Sequence, residues 1–203
     1  MSAADAPAQW RFGPVQVLAL AHRAGLRGEP QVRQALSACL GHPPSLPLAR
    51  DAHGRPRLLA PFADHDASWS HSGERLLLAC GRGVTLGVDL ERLRPRPRAL
   101  ELATRYFAPA EAARLAATAP ERRELQFLRL WCAKEALLKA HGRGLAFGLH
   151  RLELGGDGDD PDAPLRLRAC DPALGDPRAW QLHEWSPQPG YHAALAWRPG
   201  PPA

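Results

Sequence analysis

Lysine is nearly absent from this chain of 203 residues. Of its 26 Lys and Arg residues only Lys134 and Lys139 are lysines, and both lie in the short segment Lys134-Glu135-Ala136-Leu137-Leu138-Lys139. An ammonium is a compact point charge and a guanidinium a broad planar fork. Confining the lysines to one segment therefore points to a place where only the compact cation fits; coincidence is the plain alternative. Long apolar runs are missing too. The stretch Val15-Gln16-Val17-Leu18-Ala19-Leu20-Ala21 is too short to cross a bilayer, and Asp5 is the only charge before Arg11, so no membrane partner and no signal peptide are expected. Paired metal-ligand spacing is also lacking. Cys39, Cys80, Cys132 and Cys170 form no C-x-x-C and pair with no histidine at ligand spacing, which argues against zinc and for free thiols in a reducing cytosol. No solenoid repeat is visible.

The net charge is +5, but the arginines are scattered and only Arg92-Leu93-Arg94-Pro95-Arg96-Pro97-Arg98 is dense. A nucleic-acid binder would gather its charge into a stripe interleaved with aromatics. A phosphate-bearing small molecule or an acidic protein fits this pattern as well.

A helix is expected over residues 31–40, ended by Gly41 and Pro43-Pro44. Asp51-Ala52-His53-Gly54-Arg55-Pro56 reads as a turn. Residues 75–80 read as a buried strand, and 84–91 alternate clearly: Val84, Leu86, Val88 and Leu90 face one way, Thr85, Gly87, Asp89 and Glu91 the other. Helices follow over 100–106, 110–117 (with Pro109 at the start) and 121–141, the last closed by Gly142 and Gly144. Residues 145–154 and 165–170 read as strands around an acidic Gly/Asp loop at 155–162, and 180–185 with 191–197 as a closing antiparallel pair. Strands and helices mix without a regular βαβ period, so the fold class is α+β.

Asp89 and Glu91, at i and i+2 on a strand, project from one face and can share a cation; Gly87 on that face leaves room for a ligand. Oxygen ligands of this kind suit Mg²⁺. The plain alternative is a solvated strand face. Trp131, Glu135 and Lys139 share one face of the long helix, where Glu135 offers a third carboxylate; a surface Glu–Lys pair is the common meaning of that spacing. Phe127, Leu130, Leu137 and Leu138 supply the core stripe. Ser68-Trp69-Ser70-His71-Ser72-Gly73 could donate several hydrogen bonds to a phosphate, or be a polar turn before a strand.

The series Gly54-Arg55-Pro56, Ser68 to Gly73, Gly87-Val88-Asp89-Leu90-Glu91, Tyr106-Phe107-Ala108-Pro109-Ala110-Glu111, and Trp131-Cys132-Ala133-Lys134-Glu135-Ala136-Leu137-Leu138-Lys139 with Gly142-Arg143-Gly144-Leu145 resembles the surfactin-synthetase-type 4′-phosphopantetheinyl transferases, in the family's order and at similar spacing. The resemblance covers residues 50 to 150 or so. It implies a pseudo-twofold monomer of two similar α+β halves, 1–82 and 83–203, with coenzyme A and Mg²⁺ in the cleft between them. It further implies Asp89, Glu91 and Glu135 as metal ligands, and Lys139 on the pyrophosphate. Arg55, where the family usually has lysine, would join Ser70 and His71 at the nucleotide end of coenzyme A, the last two near its 3′-phosphate. The implied reaction moves the phosphopantetheine arm to a serine of an apo-acyl or peptidyl carrier protein, with Glu111 or Glu135 accepting the serine proton. Arg23, Arg27 and Arg33 could stand for N-terminal phosphate binders or be surface charges. The Arg92 to Arg98 cluster could steer an acidic carrier or be a solvated loop. An Mg²⁺-dependent nuclease or phosphodiester hydrolase, and a basic nucleic-acid module, remain the alternatives.

Overall fold

The computed structural model describes residues 7–23, 25–43, 46–156, 160 and 162–200. Two antiparallel sheets organise the molecule. The first runs β1 (Gln9–Phe12), β2 (Val15–Ala21), β6 (Arg75–Arg82), β5 (His65–Ser72) in spatial order, and the second β10 (Gln181–Trp185), β11 (Tyr191–Pro199), β7 (Val84–Arg92). Val15, Val17, Leu77 and Ala79 of the first sheet meet Val84, Leu86, Val88, Leu90, Ala193 and Leu195 of the second in one buried cluster. The outer face of the first sheet is covered by α1 (Glu29–Cys39) through Val32 and Leu36 against Leu18, Leu76 and Leu78. The second carries α4 (Pro120–His141), whose Phe127, Ala133, Ala136, Leu137 and Ala140 join Ala194 and Ala196 in a third cluster. Small pairs β3 (Leu48–Arg50) with β4 (Pro56–Leu58), and β8 (Leu152–Gly155) with β9 (Arg166–Cys170), flank the sheets.

The expected alternation of β7 is observed, but both of its faces are covered. Val84, Leu86, Val88 and Leu90 enter the inter-sheet core. On the other face a Cβ built on Gly87 would stand 2.1 Å from Ala136 O and 2.5 Å from Ala140 N, so α4 lies directly on the strand there. The room at Gly87 is therefore filled by helix backbone, not by ligand. Ser68 to Gly73, read as a phosphate site or a polar turn, fall on and just after strand β5 (His65–Ser72), which runs beside β7. Every second side chain of β5 bonds across: Asp66 Oδ2 accepts from Leu86 N (2.8 Å), Ser68 Oγ from Val88 N (3.2 Å) and Ser72 Oγ from Arg92 N (3.0 Å). Short polar side chains thus satisfy the β7 N–H groups that a neighbouring strand would otherwise have to accept.

Helices α2 (Ala99–Tyr106) and α3 (Pro109–Ala117) fall where expected, and α4 ends at Gly142, whose φ of +95° favours glycine. The strand expected over 145–154 is mostly not one. Two 3-10 turns, Gly144–Phe147 and Leu149–Arg151, precede the short β8, and Gly144 and Gly148 adopt positive φ between them. The expected breaker Pro44 and part of the acidic loop, residues 157–159 and 161, lie outside the described residues. Among the described residues no helix is long and apolar enough to cross a membrane.

Candidate active site

Contact of α4 with β7 at Gly87 sets Glu135 and Lys139 over the odd-numbered face of the strand. Lys139 Nζ donates to Asp89 Oδ1 (2.7 Å) and to Val88 O (3.2 Å). Ser70 Oγ donates to the same Asp89 oxygen from β5 at 2.8 Å, and Asp89 Oδ2 is buried without a partner. Glu91 accepts from Arg96 Nη2 (2.8 Å) and from Ser72 Oγ (3.4 Å). Burial raises the pKa of Glu135, and Asp89 and Glu91 raise it further against Lys139, to about 7. Burial and then Asp89 likewise push Glu91 up, against Arg96 and Ser72. The structure thus gathers Asp89, Glu91 and Glu135 into one electrostatic unit with Lys139.

These residues fit a divalent cation by their chemistry: clustered carboxylates, one orphaned oxygen, and mutual repulsion that a doubly charged ion would relieve. In the present side-chain positions no group of three or more His, Cys, Asp or Glu residues, among those described, is arranged to hold an ion. Lys139 and Arg96 occupy oxygens that such an ion would need.

Arg55 is 6% exposed and works as a clamp. It donates to Lys139 O (2.8 Å), Asp66 Oδ2 (2.5 Å) and Leu86 O (2.9 Å), while Nη1 is buried with no partner. It also lines a cavity of about 240 Å³ with Arg50, His53, Trp69, Lys139 and Gly142. The three bonds leave from two nitrogens, Nε and Nη2, a spread that the planar guanidinium offers and a single ammonium does not. Ser70 is turned to Asp89, so its hydroxyl is already engaged there. His71 is exposed on β5.

Glu111 does not join this site. It is fully buried, pairs with Lys134 at 2.7 Å, and accepts from Leu154 N (2.8 Å) and Ala108 N (2.9 Å). Its oxygens are spent fixing the start of α3 and the edge of β8, so Glu111, expected as one of two proton acceptors, is not brought together with Asp89, Glu91 and Lys139 in this structure. Lys134, also fully buried, is the structural one of the two lysines; Lys139 alone serves the acidic cluster. Three further participants escaped the sequence reading. Cys132 is sealed under the acids, and burial, then Asp89 and Glu91, push its thiol well up; its place one turn before Glu135 and two before Lys139 was the available signal. Arg96 covers Glu91. Asp66 anchors Arg55, and the period-two series Asp66, Ser68, Ser70, Ser72 was the signal for it.

A family model described as the 4′-phosphopantetheinyl transferase superfamily matches residues 85–196. A provisionally named 4′-phosphopantetheinyl transferase of Synechocystis sp. is 34% identical over 167 residues, covering 76% of this chain and 63% of that protein. The 4′-phosphopantetheinyl transferase HetI of Nostoc sp. is 32% identical over 176 residues, covering 83% and 70%. A 4′-phosphopantetheinyl transferase of Bacillus subtilis is 31% identical over 130 residues, covering 64% and 56%. The chain thus spans between 56% and 70% of the length of these relatives. The matched region takes in α4 and nearly all of β7, which carry Asp89, Glu91, Glu135 and Lys139, and the chain belongs to the 4′-phosphopantetheinyl transferase superfamily.

Proposed function

We propose that this protein, acting as a cytosolic monomer of the surfactin-synthetase type, transfers the 4′-phosphopantetheine arm of coenzyme A to a serine of an apo-acyl or peptidyl carrier protein, releasing 3′,5′-ADP. The observation that carries the reading is the convergence of Asp89, Glu91 and Glu135 with Lys139 beside the Arg55 cavity. Free cysteines throughout agree with a reducing compartment. Each proposed half, 1–82 and 83–203, contributes an antiparallel sheet with a helix on it, and the acidic cluster takes Ser70 from one half and Glu135 from the other. That sharing supports a site in a cleft between pseudo-twofold halves.

Asp89, Glu91 and Glu135 would hold Mg²⁺, which when bound supplies charge neutralisation at the pyrophosphate. Lys139 places a second positive charge next to that site, aimed by its bond to Val88 O. Arg55 lines the cavity, and its guanidinium places positive charge at the wall where a phosphate group would lie. The carrier serine oxygen forms a bond to the β-phosphorus of coenzyme A as the bond from that phosphorus to the bridging oxygen of 3′,5′-ADP breaks. With Glu111 sealed against Lys134, Glu135 is the carboxylate assigned to take the serine proton, directly or through water. Intact-mass analysis of an apo-carrier incubated with the protein, Mg²⁺ and coenzyme A tests this. A gain of one phosphopantetheine is expected, and Asp89→Ala should abolish it with the fold intact. No gain on acyl and peptidyl carriers alike would refute the proposal.

A further inference from the structure

His71 does not stand alone on β5. Its ring is stacked on that of His22, with centroids 4.4 Å apart and planes inclined by 26°. His22 follows the end of β2, is 6% exposed, and is pinned by its backbone N–H to Glu74 O at 2.9 Å. Both of its ring nitrogens are buried without a hydrogen-bond partner. Gly28, just before α1, closes over the pair: a Cβ there would come within 2.6 Å of Leu76 Cδ1 and 3.9 Å of each imidazole. The His22 ring is therefore held by packing alone. Burying two unpartnered polar nitrogens is unfavourable, and an apolar ring would avoid that penalty. Among the described residues, what His22 does hold is the ring of His71.

We propose that His22 is a positioning residue for phosphate recognition: by stacking, it fixes the His71 ring for the phosphomonoester at the nucleotide end of coenzyme A. This rests on the reading of His71 given above. An unrestrained histidine on an exposed strand face samples several rotamers and loses that freedom when it grips a ligand; a ring already stacked loses little. Partial burial, then His22 and Lys139, hold the pKa of His71 below its usual value, and an imidazole N–H can donate to a phosphate oxygen. Arg23 and Arg27, both exposed, lie in the same connection as His22 between β2 and α1.

Calorimetric titration with coenzyme A and with 3′-dephospho-coenzyme A, Mg²⁺ present and no carrier, separates the possibilities. The wild type should prefer coenzyme A, and His71→Ala should erase the preference. His22→Leu, which fills the space without an aromatic face, should cut the preference by about threefold to tenfold, the equivalent of ordering one side chain. Its affinity for the dephospho form should not change. His22→Phe should restore the wild-type preference. A His22→Leu protein that discriminates like the wild type overturns the inference, and so does a His22→Phe protein as impaired as His22→Leu. A wild type that binds both ligands equally overturns the assignment of His71 itself, together with this inference. A wild type that binds neither counts against the transferase reading as a whole.

Discussion

Glu111 and Glu135 are both acids on helices of the C-terminal half, and their surroundings give them opposite work. Glu111 is saturated: one ammonium and two backbone N–H groups consume its oxygens. Removing its charge leaves Lys134 in a fully buried place without a counter-ion. Glu111→Gln should therefore lose about 3–5 kcal/mol of stability, the usual consequence of breaking a buried pair, as read from urea denaturation. Transfer activity per folded molecule should stay near the wild-type level. Glu135 is the reverse case, crowded by Asp89 and Glu91 with burial working against its charge. Glu135→Gln relieves that repulsion, so in metal-free buffer at pH 8 it should denature no earlier than the wild type. Carrier modification by the same variant should fall by roughly a hundredfold or more, since it loses both a carboxylate of the cluster and the proton acceptor. If Glu111→Gln proved inactive at full stability while Glu135→Gln stayed active, the two assignments would have to be exchanged.

Between elements, two contacts decide whether this site exists. At Gly87 the strand touches the backbone of α4, and any side chain must push the helix away. Gly87→Ala should raise the distance between Asp89 and Lys139, abolish transfer and destabilise the fold by about 1–3 kcal/mol, the range for overpacking; thermal denaturation and the mass assay read both effects. On the far side, Glu184 of β10 ties the sheet to α4 by accepting from Arg129 at 3.0 and 2.8 Å and from Leu165 N at 3.1 Å. Burial alone would raise its pKa, but His192, Arg129 and Leu165 N together hold it at about 2. A carboxyl depressed in the folded state stabilises fully above its unfolded value near 4.5. That contribution, on the order of 3 kcal/mol, should be lost as pH falls from there through about 2. Denaturation midpoints between pH 5 and pH 2 should fall more steeply for the wild type than for Glu184→Gln. How far the elements could be read from sequence follows the same division. Helices α2, α3 and α4 were legible because proline, glycine and apolar period are local signals, and β7 because its alternation is unbroken. What Gly87, Ser70 and Glu111 do was not legible, because each is decided by a partner far along the chain: α4 for Gly87, β7 for Ser70 and β8 for Glu111. The 145–154 segment was misread because an apolar run does not distinguish 3-10 turns from a strand when glycines interrupt it.

Over the whole molecule the positive charge is less evenly available than the sequence suggests. In the cluster after β7, Arg96 is drawn in to Glu91 and Arg98 is paired with Glu101 on the surface. Arg92 and Arg94 are exposed and, among the described residues, form no ion pair; Leu93 between them is 43% exposed. A surface of two free guanidiniums around an apolar side chain, one residue from Glu91, suits the acidic carrier protein of the proposed reaction. The double variant Arg92→Glu, Arg94→Glu should leave the Kd for coenzyme A unchanged, because neither residue lines the Arg55 cavity. Its kcat/KM for an acidic apo-carrier should drop by about tenfold at low salt, and the gap should narrow as salt screens the exposed charges over a Debye length of about 10 Å at 0.1 M. Arg98→Glu, whose native charge is already neutralised by Glu101, serves as the comparison and should change carrier kinetics less. Equal effects from the two variants, or a loss that does not depend on salt, would show that the loop works through Glu91 and the fold, with no role in drawing in the carrier.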